Sequence, residues 1–397
     1  MLKVDKKICF VVQRYGLEVN GGAELLCRQI AERMADRCSE VHVLTTKAID
    51  YITWKDEYKK EEDTINGVRV HRFGVAHPRN CEMFDRINQK FYSGKLKTEE
   101  EGEWMENQGP AVPDLIQYLA RHESEYDVFI FFTYLYYTTA VGLPLVCNKA
   151  ILVPTAHDEP FLRMRIFDDV FLTPRGILFN TEEERRLVHE RYHNEHIPNA
   201  LGGVGIDLPE DINGERFRNK YGLERYIVYV GRIDEGKNCD QLFRYFLEYK
   251  RRNKTDLRLV LMGKPVIDIP QDESIVSLGF VDDQDKFDGI AGAEILVLPS
   301  QFESLSMVVL EAMSVRTPVM VYGKCPVLRG HCIKSNGAFY YNNFFEFEGQ
   351  IHYLSDHEEE KKWMLQNAYQ YVQEHYQWNT ILDRLVELIK EVVEVKI

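Results

Sequence analysis

The sequence has no apolar run long enough to cross a membrane or to form a signal-peptide core: the N-terminal run covers only Ile8 to Val12. Its 8 cysteines include no C-x-x-C pair and no histidine partners at zinc spacing, which argues for free thiols in a reducing compartment. Positive charge is in deficit, with 49 Lys and Arg residues against 63 Asp and Glu residues, and this balance argues against nucleic acid as a partner. We therefore expect a cytoplasmic protein without a transmembrane segment, for which peripheral contact with the inner face of the membrane stays open.

Length and composition fit an ordinary globular chain of two domains. The 397 residues are 45% hydrophobic and 28% charged, which is enough apolar material for full cores. Short apolar runs alternate with helix-like stretches, and this alternation predicts parallel, doubly wound sheets. The runs interpreted as strands are 8–13, 41–44, 68–73, 128–132 and 151–155 in the first half, and 227–230, 257–262, 275–278, 295–298 and 318–321 in the second.

Two stretches interrupt this alternation. Residues 77–112 are rich in aromatic and charged side chains, and we interpret them with equal weight as a helical cover or as a substrate lid. The stretch NALGGVGIDLP, which follows Ile197 and Pro198, is rich in glycine and is interpreted as an interdomain linker and hinge. Similar α/β patterns on both sides of this linker predict two facing Rossmann-like domains with a cleft between them.

A pair of glycines follows the first predicted strand. The segment Asn20-Gly21-Gly22-Ala23 leads into a predicted helix, so backbone N–H groups at the helix start could approach a phosphate. A plain tight turn explains the same residues equally well. No G-x-G-x-x-G occurs there and no acidic residue closes the second strand, so a nicotinamide oxidoreductase is disfavoured.

Two cations follow the first predicted strand of the second half, in the stretch VYVGRIDEGKN. Arg232 and Lys237 stand in a short loop at the carboxyl end of a strand, which is where parallel sheets bind ligands. A planar guanidinium and a compact ammonium together suit a diphosphate. Solvated surface charges are the alternative interpretation.

Two glutamates frame the stretch LPSQFESLSMVVLEAM. It joins the predicted strand 295–298 to a helix predicted to begin near Ser304, and a helix N-terminus favours an anion. Glu303 could contact a ligand there, or it could merely stabilise the helix start. Glu311 falls at the flank of the apolar stripe, so we expect a part-buried carboxylate that needs donors such as the vicinal hydroxyls of a ribose.

A histidine stands at the end of a strand in the stretch VPTAHDEP. Asp158 and Glu159 follow His157, so a polar cluster begins where the buried run 151–155 ends. We interpret His157 as a ligand contact, with a structural histidine as the alternative.

These features together resemble the retaining glycosyltransferases of family 4: GRIDEGKN, the E-x7-E of FESLSMVVLEAM, NGGAE, the NALGGVGID linker, His157 and the closing helix after Trp378. The resemblance implies the α/β GT-B fold, with a central cleft and a C-terminal helix that crosses back to the N-terminal domain. The implied domains are residues 1–200 plus 377–397 on the acceptor side, and residues 208–376 for the nucleotide-sugar.

The resemblance also implies an activity and its substrates. A sugar would pass from a UDP- or GDP-sugar to a hydroxyl of a glycan or lipid-linked glycan acceptor, with retained anomeric configuration, in surface polysaccharide or glycan synthesis. Arg232 and Lys237 would bind the donor diphosphate together with a backbone N–H of Gly22. Glu303 would hydrogen-bond the donor sugar and His157 would lie beside its reactive carbon, which makes these two the candidate catalytic residues.

Further donor contacts are implied in the second half of the chain. Leu305, Ser306 and Met307 would contact the donor sugar through backbone N–H groups, Glu311 would hold the ribose, and Phe280 in LGFV would border the nucleobase. No metal or other cofactor is expected, because no D-x-D metal motif stands at a strand end, and the implied reaction is a front-face substitution.

Where many family members have a glycine followed by an aliphatic residue, this chain has Ser304 and Leu305, so the sugar stays open. Two other classes also stay open. One is a nucleotide-sugar epimerase or hydrolase of GT-B type, and the other is a non-catalytic nucleotide-sugar-binding protein.

Overall fold

A computed structural model describes residues 1–19 and 21–394 of the chain. Asn20 of the predicted phosphate loop and residues 395–397 of the predicted first domain lie outside the described residues. The chain divides into two compact units. The first contains Met1–Gly203 and the segment from Asn379, and the second contains Val204–Trp378.

The first unit is built on one large sheet. Its strands are β1 (Lys7–Val11), β2 (Glu40–Thr46), β3 (Glu62–Ile65), β4 (Val68–Phe73), β5 (Val128–Phe132), β6 (Ala150–Val153), β7 (Gly176–Phe179) and β8 (Asn199–Leu201). Their order in the sheet is β3-β4-β2-β1-β5-β6-β7-β8, and all neighbours are parallel except β3 on β4. The central strands are buried on both faces, which is why β5 is a continuous apolar run, VFIFF.

Helices connect these parallel strands. They are α1 (Gly22–Met34), α2 (Cys81–Tyr92), α3 (Glu101–Gln108), α4 (Pro113–His122), α5 (Tyr137–Gly142), α6 (Asp168–Leu172) and α7 (Glu182–Tyr192). The predicted helix after Gly22 is confirmed as α1, and its apolar face with Leu26, Ile30 and Met34 is buried. The strand Asn199–Leu201 lies inside the stretch interpreted as a linker, so that interpretation is wrong for the first three of its residues.

The 77–112 stretch is a helical cover. It forms α2, a short 3₁₀ turn at Thr98–Glu100, and α3. Trp104 and Met105 of α3 are buried in the core of the first unit, together with Ile87 of α2. Trp104 of this stretch is therefore a core residue, and Phe84 and Phe91 are partly buried against the same core.

The second unit is a smaller parallel α/β unit. Its sheet has the order β11-β10-β9-β12-β13-β14, with every described pairing parallel. The strands are β9 (Tyr226–Val230), β10 (Arg258–Met262), β11 (Ile275–Gly279), β12 (Ile295–Leu298), β13 (Val319–Tyr322) and β14 (Phe339–Tyr341). The helices are α8 (Gly214–Tyr221), α9 (Cys239–Arg252), α10 (Asp283–Gly292), α11 (Met307–Ser314), α12 (Pro326–Ser335), α13 (Phe344–Asp356) and α14 (Glu358–His375).

The last helix, α15 (Trp378–Glu394), packs on the first sheet. Its Asp383 accepts a hydrogen bond from the backbone N–H of Leu2 at 2.8 Å and forms an ion pair with Arg37. Near its end, Val392 lies so close to Gly176 of β7 that an added Cβ there would be 2.9 Å from its methyl carbon. Among the helices of the described chain, none has both the length and the apolar character needed to cross a membrane.

Candidate functional site

Two loops meet at one edge of the second sheet. Residues 231–238 follow β9 and residues 299–306 follow β12, and these strands are parallel neighbours, so both loops leave at their carboxyl ends. The side-chain amide of Asn238 donates a hydrogen bond to the carbonyl of Pro299 at 3.1 Å. This contact ties the two loops together.

Arg232, Lys237 and Glu303 are brought into one polar cluster by these loops. The ammonium of Lys237 lies 2.7 Å from the carboxylate of Glu303. Asp234, which sequence reasoning missed, joins the cations: its carboxylate pairs with the guanidinium of Arg232 and accepts the backbone N–H of Lys237 at 2.7 Å. The Arg-x4-Lys spacing therefore places its two cations around a carboxylate that fixes the turn.

Close backbone packing fixes the start of the 231–238 loop. Gly231 and Gly263 have φ angles of 146° and 150°, where residues with a Cβ are strained. A Cβ added to Gly263 would lie 1.8 Å from the carbonyl oxygen of Gly231. The hydroxyl of Tyr229 donates to the carbonyl of Arg232 at 2.6 Å, so the first residues of the loop are held from both sides.

The helix after the second loop begins later than predicted. The expected start was near Ser304, but α11 begins at Met307, because Ser306 has a left-handed backbone with φ 68°. Leu305, Ser306 and Met307 thus form the turn into the helix N-terminus, where backbone N–H groups have no partners within the helix. The buried His331 binds the carbonyl of Leu305 at 2.7 Å and holds this turn, a contact that no sequence pattern indicated.

Glu311 already has a protein donor. The ammonium of Lys286 in α10 lies 2.9 Å from its carboxylate, and the two side chains are 19% and 14% exposed. Burial opposes the charge of Lys286, but Glu311 and Asp283 outweigh it and raise the pKa of Lys286. Lys286 therefore supplies a donor to this part-buried carboxylate, and the ribose role of Glu311 stays a prediction.

Phe280 follows directly after β11 and is 75% exposed. An aromatic ring exposed at a strand end is the kind of surface on which a nucleobase stacks. Its proposed place beside a nucleobase stays a prediction.

In the first unit, Gly22 is the first residue of α1. A Cβ added to Gly22 would meet nothing within 4 Å, so the space beside this helix start is open. Gly21 is constrained instead by Glu24, whose carboxylate would lie 2.2 Å from an added Cβ. Glu24 is held by Gln13 at 2.9 Å and by Arg14 at 2.5 Å, a buried polar cluster at the end of β1 that sequence reasoning missed.

His157 stands in a second polar cluster of the first unit, after β6. Its Nδ1 lies 3.4 Å from the carboxylate of Glu159, which accepts a hydrogen bond from the hydroxyl of Tyr134 at 2.6 Å. Thr133 and Thr155, at the ends of neighbouring strands, have φ angles of 67° and 51°. Left-handed backbone is rare for β-branched residues and accumulates at functional sites.

A buried carboxylate holds the chain just before His157. Glu184 in α7 is 1% exposed and accepts the backbone N–H groups of Ala156 and Asn180, each at 2.6 Å. Burial raises the pKa of Glu184 to about 8, against the opposing effect of these backbone donors. At the start of the same helix, the hydroxyl oxygen of Thr181 accepts the backbone N–H of Glu184 at 3.2 Å.

The structure thus places Gly22 and His157 in the first unit, and the other eight candidate residues in the second. Their roles toward a ligand stay predictions. In the described residues, no group of three or more His, Cys, Asp or Glu side chains is arranged to hold a metal ion.

A pair of parallel α/β units of this kind defines the GT-B fold, and solved structures confirm it. Sucrose-phosphate synthase from Thermosynechococcus elongatus matches with a TM-score of 0.74 at 14% identity, over 98% of this chain and 100% of that one. Anabaena HepE in complex with UDP-glucose matches with a TM-score of 0.69 at 15% identity, over 97% and 99%. At these identities the likeness establishes the fold.

Sequence comparison gives a more specific result for the second unit. Residues 224–336 match the family described as Glycosyl transferases group 1, and this range contains both loops of the polar cluster. An uncharacterized glycosyltransferase of Methanocaldococcus jannaschii is 25% identical, over 98% of this chain and 99% of the relative. Residues 224–336 are therefore similar to a glycosyl transferases group 1 domain, and they lie within a GT-B fold.

Proposed function

We propose that this protein is a retaining glycosyltransferase that moves a sugar from a UDP- or GDP-sugar to a hydroxyl acceptor. The second unit binds the donor, and the first unit binds a glycan or lipid-linked glycan acceptor. The reaction proceeds without a divalent metal and serves the synthesis of a surface polysaccharide or another glycan.

The observation that carries this proposal is the cluster of Arg232, Lys237 and Glu303 beside the start of α11. Arg232 offers a planar fork of donors and Lys237 a compact charge, which together neutralise a diphosphate. The helix N-terminus adds backbone N–H groups and the positive end of its dipole. Glu303 lies 2.7 Å from Lys237, so a bound diphosphate would share the ammonium, and the Glu303 carboxylate would be close enough to hydrogen-bond sugar hydroxyls.

This arrangement suits the departure of a nucleoside diphosphate from the anomeric carbon of a sugar. As the bond between the sugar and the phosphate breaks, negative charge grows on the phosphate oxygen, and two fixed cations stabilise that charge. The anomeric carbon then has oxocarbenium character. A phosphate oxygen on the same face takes the proton of the acceptor hydroxyl as the new bond forms, so the configuration is retained.

The comparisons support the same proposal. The family match covers both loops of the cluster, and the similar Anabaena structure is a complex with UDP-glucose. The similarity to the M. jannaschii glycosyltransferase extends over the first unit as well, although that relative does not indicate an acceptor.

A thermal-shift screen of UDP- and GDP-sugars, with EDTA and then with Mg²⁺ or Mn²⁺, tests the proposal. We expect one nucleotide-sugar to raise the melting temperature in EDTA, and we expect products formed from it to keep the anomeric configuration by NMR. Inverted products would contradict retention, and activity that needs an added metal would contradict the metal-independent route. Donor breakdown with water as the sole acceptor would favour a hydrolase instead.

A further inference from the structure

One cavity of the first unit lies between the end of α2 and the segment that follows His157. Its volume is about 400 Å³, within the range of small-ligand pockets. It is lined mainly by Phe91, Tyr92, Glu101, Pro160, Arg163 and Met164. We propose that this cavity binds a neutral sugar ring of the acceptor, an inference that rests on the proposed transfer activity.

The wall of the cavity is preformed. The ring of Phe91 stacks on Phe161 with centroids 4.8 Å apart and an interplanar angle of 26°. Behind it, Phe161 packs on the buried Trp104 at 4.9 Å. Glu101 accepts the backbone N–H of Ile166 at 2.8 Å, which fastens α3 to the opposite wall. A ligand would therefore enter a fixed surface without ordering it first.

The chemistry of the lining matches a sugar. Tyr92 is 65% exposed although its neighbours are packed, so its aromatic face is available to a ligand. Electron-rich ring faces attract the C–H groups of a pyranose, while the sugar hydroxyls need polar partners at the rim. Arg163 lines the cavity and is one such partner: its side chain is more than half exposed, and it pairs with Asp158 at 2.7 Å.

The same rim argues against other ligands. A lipid chain would have to strip water from Arg163 and Asp158 without giving hydrogen bonds in return, which is costly. An anion would meet the carboxylate of Glu101, and the guanidinium of Arg163 is already paired with Asp158. A neutral ring with hydroxyls fits both the aromatic wall and the paired charges.

The cavity also opens beside the polar cluster of His157. Pro160, which lines the cavity, directly follows Glu159 in the chain. The carboxylate of Glu159 is in turn 3.4 Å from Nδ1 of His157. A sugar in this cavity would therefore lie beside the segment that carries the histidine that we predict to lie at the reactive carbon.

Saturation-transfer NMR with methyl glycosides of hexoses and N-acetylhexosamines tests the cavity, with and without UDP. Tyr92→Ala removes the ring, Tyr92→Phe keeps it, and Trp363→Ala removes an exposed aromatic of the second unit as a control. We expect Tyr92→Ala to weaken the best glycoside by about tenfold, as loss of a ring contact of roughly 1.4 kcal/mol implies. The other two variants should stay within about threefold of the original protein.

The proposal would be overturned if Tyr92→Ala bound the glycosides as well as the original protein does, or if no glycoside gave a signal. Octyl glycosides serve as a further probe. A signal from their alkyl chains alone would indicate a lipid site and would also overturn the proposal. Nucleotide-sugar binding, measured separately by thermal shift, should be unchanged in all three variants. If no nucleotide-sugar binds but glycosides still need Tyr92, the transfer activity is wrong and the sugar site stands.

Discussion

Replacing Lys286 with methionine separates the structural role of Glu311 from its proposed role toward a ribose. Methionine keeps most of the length of the lysine side chain and leaves the Glu311 carboxylate without the ammonium that now lies 2.9 Å away. Breaking a fully buried ion pair lowers the free energy of unfolding by about 3–5 kcal/mol. Because the side chains of Lys286 and Glu311 are 19% and 14% exposed, we expect a somewhat smaller loss, about 2–4 kcal/mol.

Nucleotide binding gives the discriminating result. In the original protein a ribose must share Glu311 with Lys286, whereas in Lys286→Met the ribose hydroxyls would be the donors that the carboxylate lacks. We expect UDP, or GDP if that base is preferred, to stabilise the variant more than the original protein, by roughly one charged hydrogen bond, about 1.5–3 kcal/mol. The 2′,3′-dideoxy nucleotide should not show this gain.

Urea denaturation with and without nucleotide, together with calorimetric titration, measures both effects. Glu311→Gln with Lys286→Met is the matched control, because it removes both charges at once and should recover part of the lost stability. Equal gains from the ribo- and dideoxynucleotide in Lys286→Met would refute the assignment of Glu311 to the ribose. An unchanged free energy of unfolding would show that the ion pair contributes nothing.

Two further changes probe the scaffold of the sites. The folded protein raises the pKa of Glu184 from 4.5 to about 8, so this group stabilises the fold at acidic pH and loses that contribution as pH rises to about 8. The free energy of unfolding, measured by urea denaturation at pH 5–9, should therefore fall more steeply with pH for the original protein than for Glu184→Gln, by up to about 1.4 kcal/mol per pH unit. Gly263→Ala places a Cβ 1.8 Å from the Gly231 carbonyl and should cost about 3 kcal/mol or more in urea denaturation. Gly349→Ala, whose Cβ would meet nothing within 4 Å, should be neutral or stabilising.

Parallel pH profiles of the two proteins would contradict the account of Glu184. Equal stability of the Gly263 and Gly349 variants would contradict the close approach of the two backbones at the start of the 231–238 loop.

The core of the fold was predictable because buried parallel strands have a simple sequence pattern. Every apolar run that was interpreted as a strand overlaps a strand of the structure, and β5 matches the run 128–132 at both ends. The strands that were missed are the interior strand β7 and the edge strands β3, β8 and β14. The strand Asn199–Leu201 is only half-buried and has no alternation of apolar and polar residues. Because glycines follow it, its sequence pattern indicated a linker instead of a strand.

The candidate site was predictable where its residues are close in sequence. Arg232 and Lys237 share one loop, and the turn into α11 follows from a strand and a helix in succession. Partners from distant parts of the chain left no local signal. Lys286 reaches Glu311 from another helix, and His331 reaches Leu305 from α12.

The helix start at Met307 shows a different limit. The apolar periodicity extends back to Leu305, but the left-handed backbone of Ser306 prevents the helix from beginning before Met307. Serine has no intrinsic preference that predicts this conformation. Tertiary contacts, among them His331 on the Leu305 carbonyl, set that boundary.

Calorimetric titration of UDP and GDP into the original protein, Lys237→Ala and Arg244→Ala tests the diphosphate site most directly. Arg244 is an exposed cation on α9 that pairs with Asp240, so it controls for loss of charge alone. We predict that one nucleotide binds, and that Lys237→Ala weakens it by about 10- to 100-fold, the value of one charged hydrogen bond, while Arg244→Ala leaves it unchanged. Equal affinity for all three proteins would contradict the assignment of the diphosphate to the Arg232, Lys237 and Glu303 cluster.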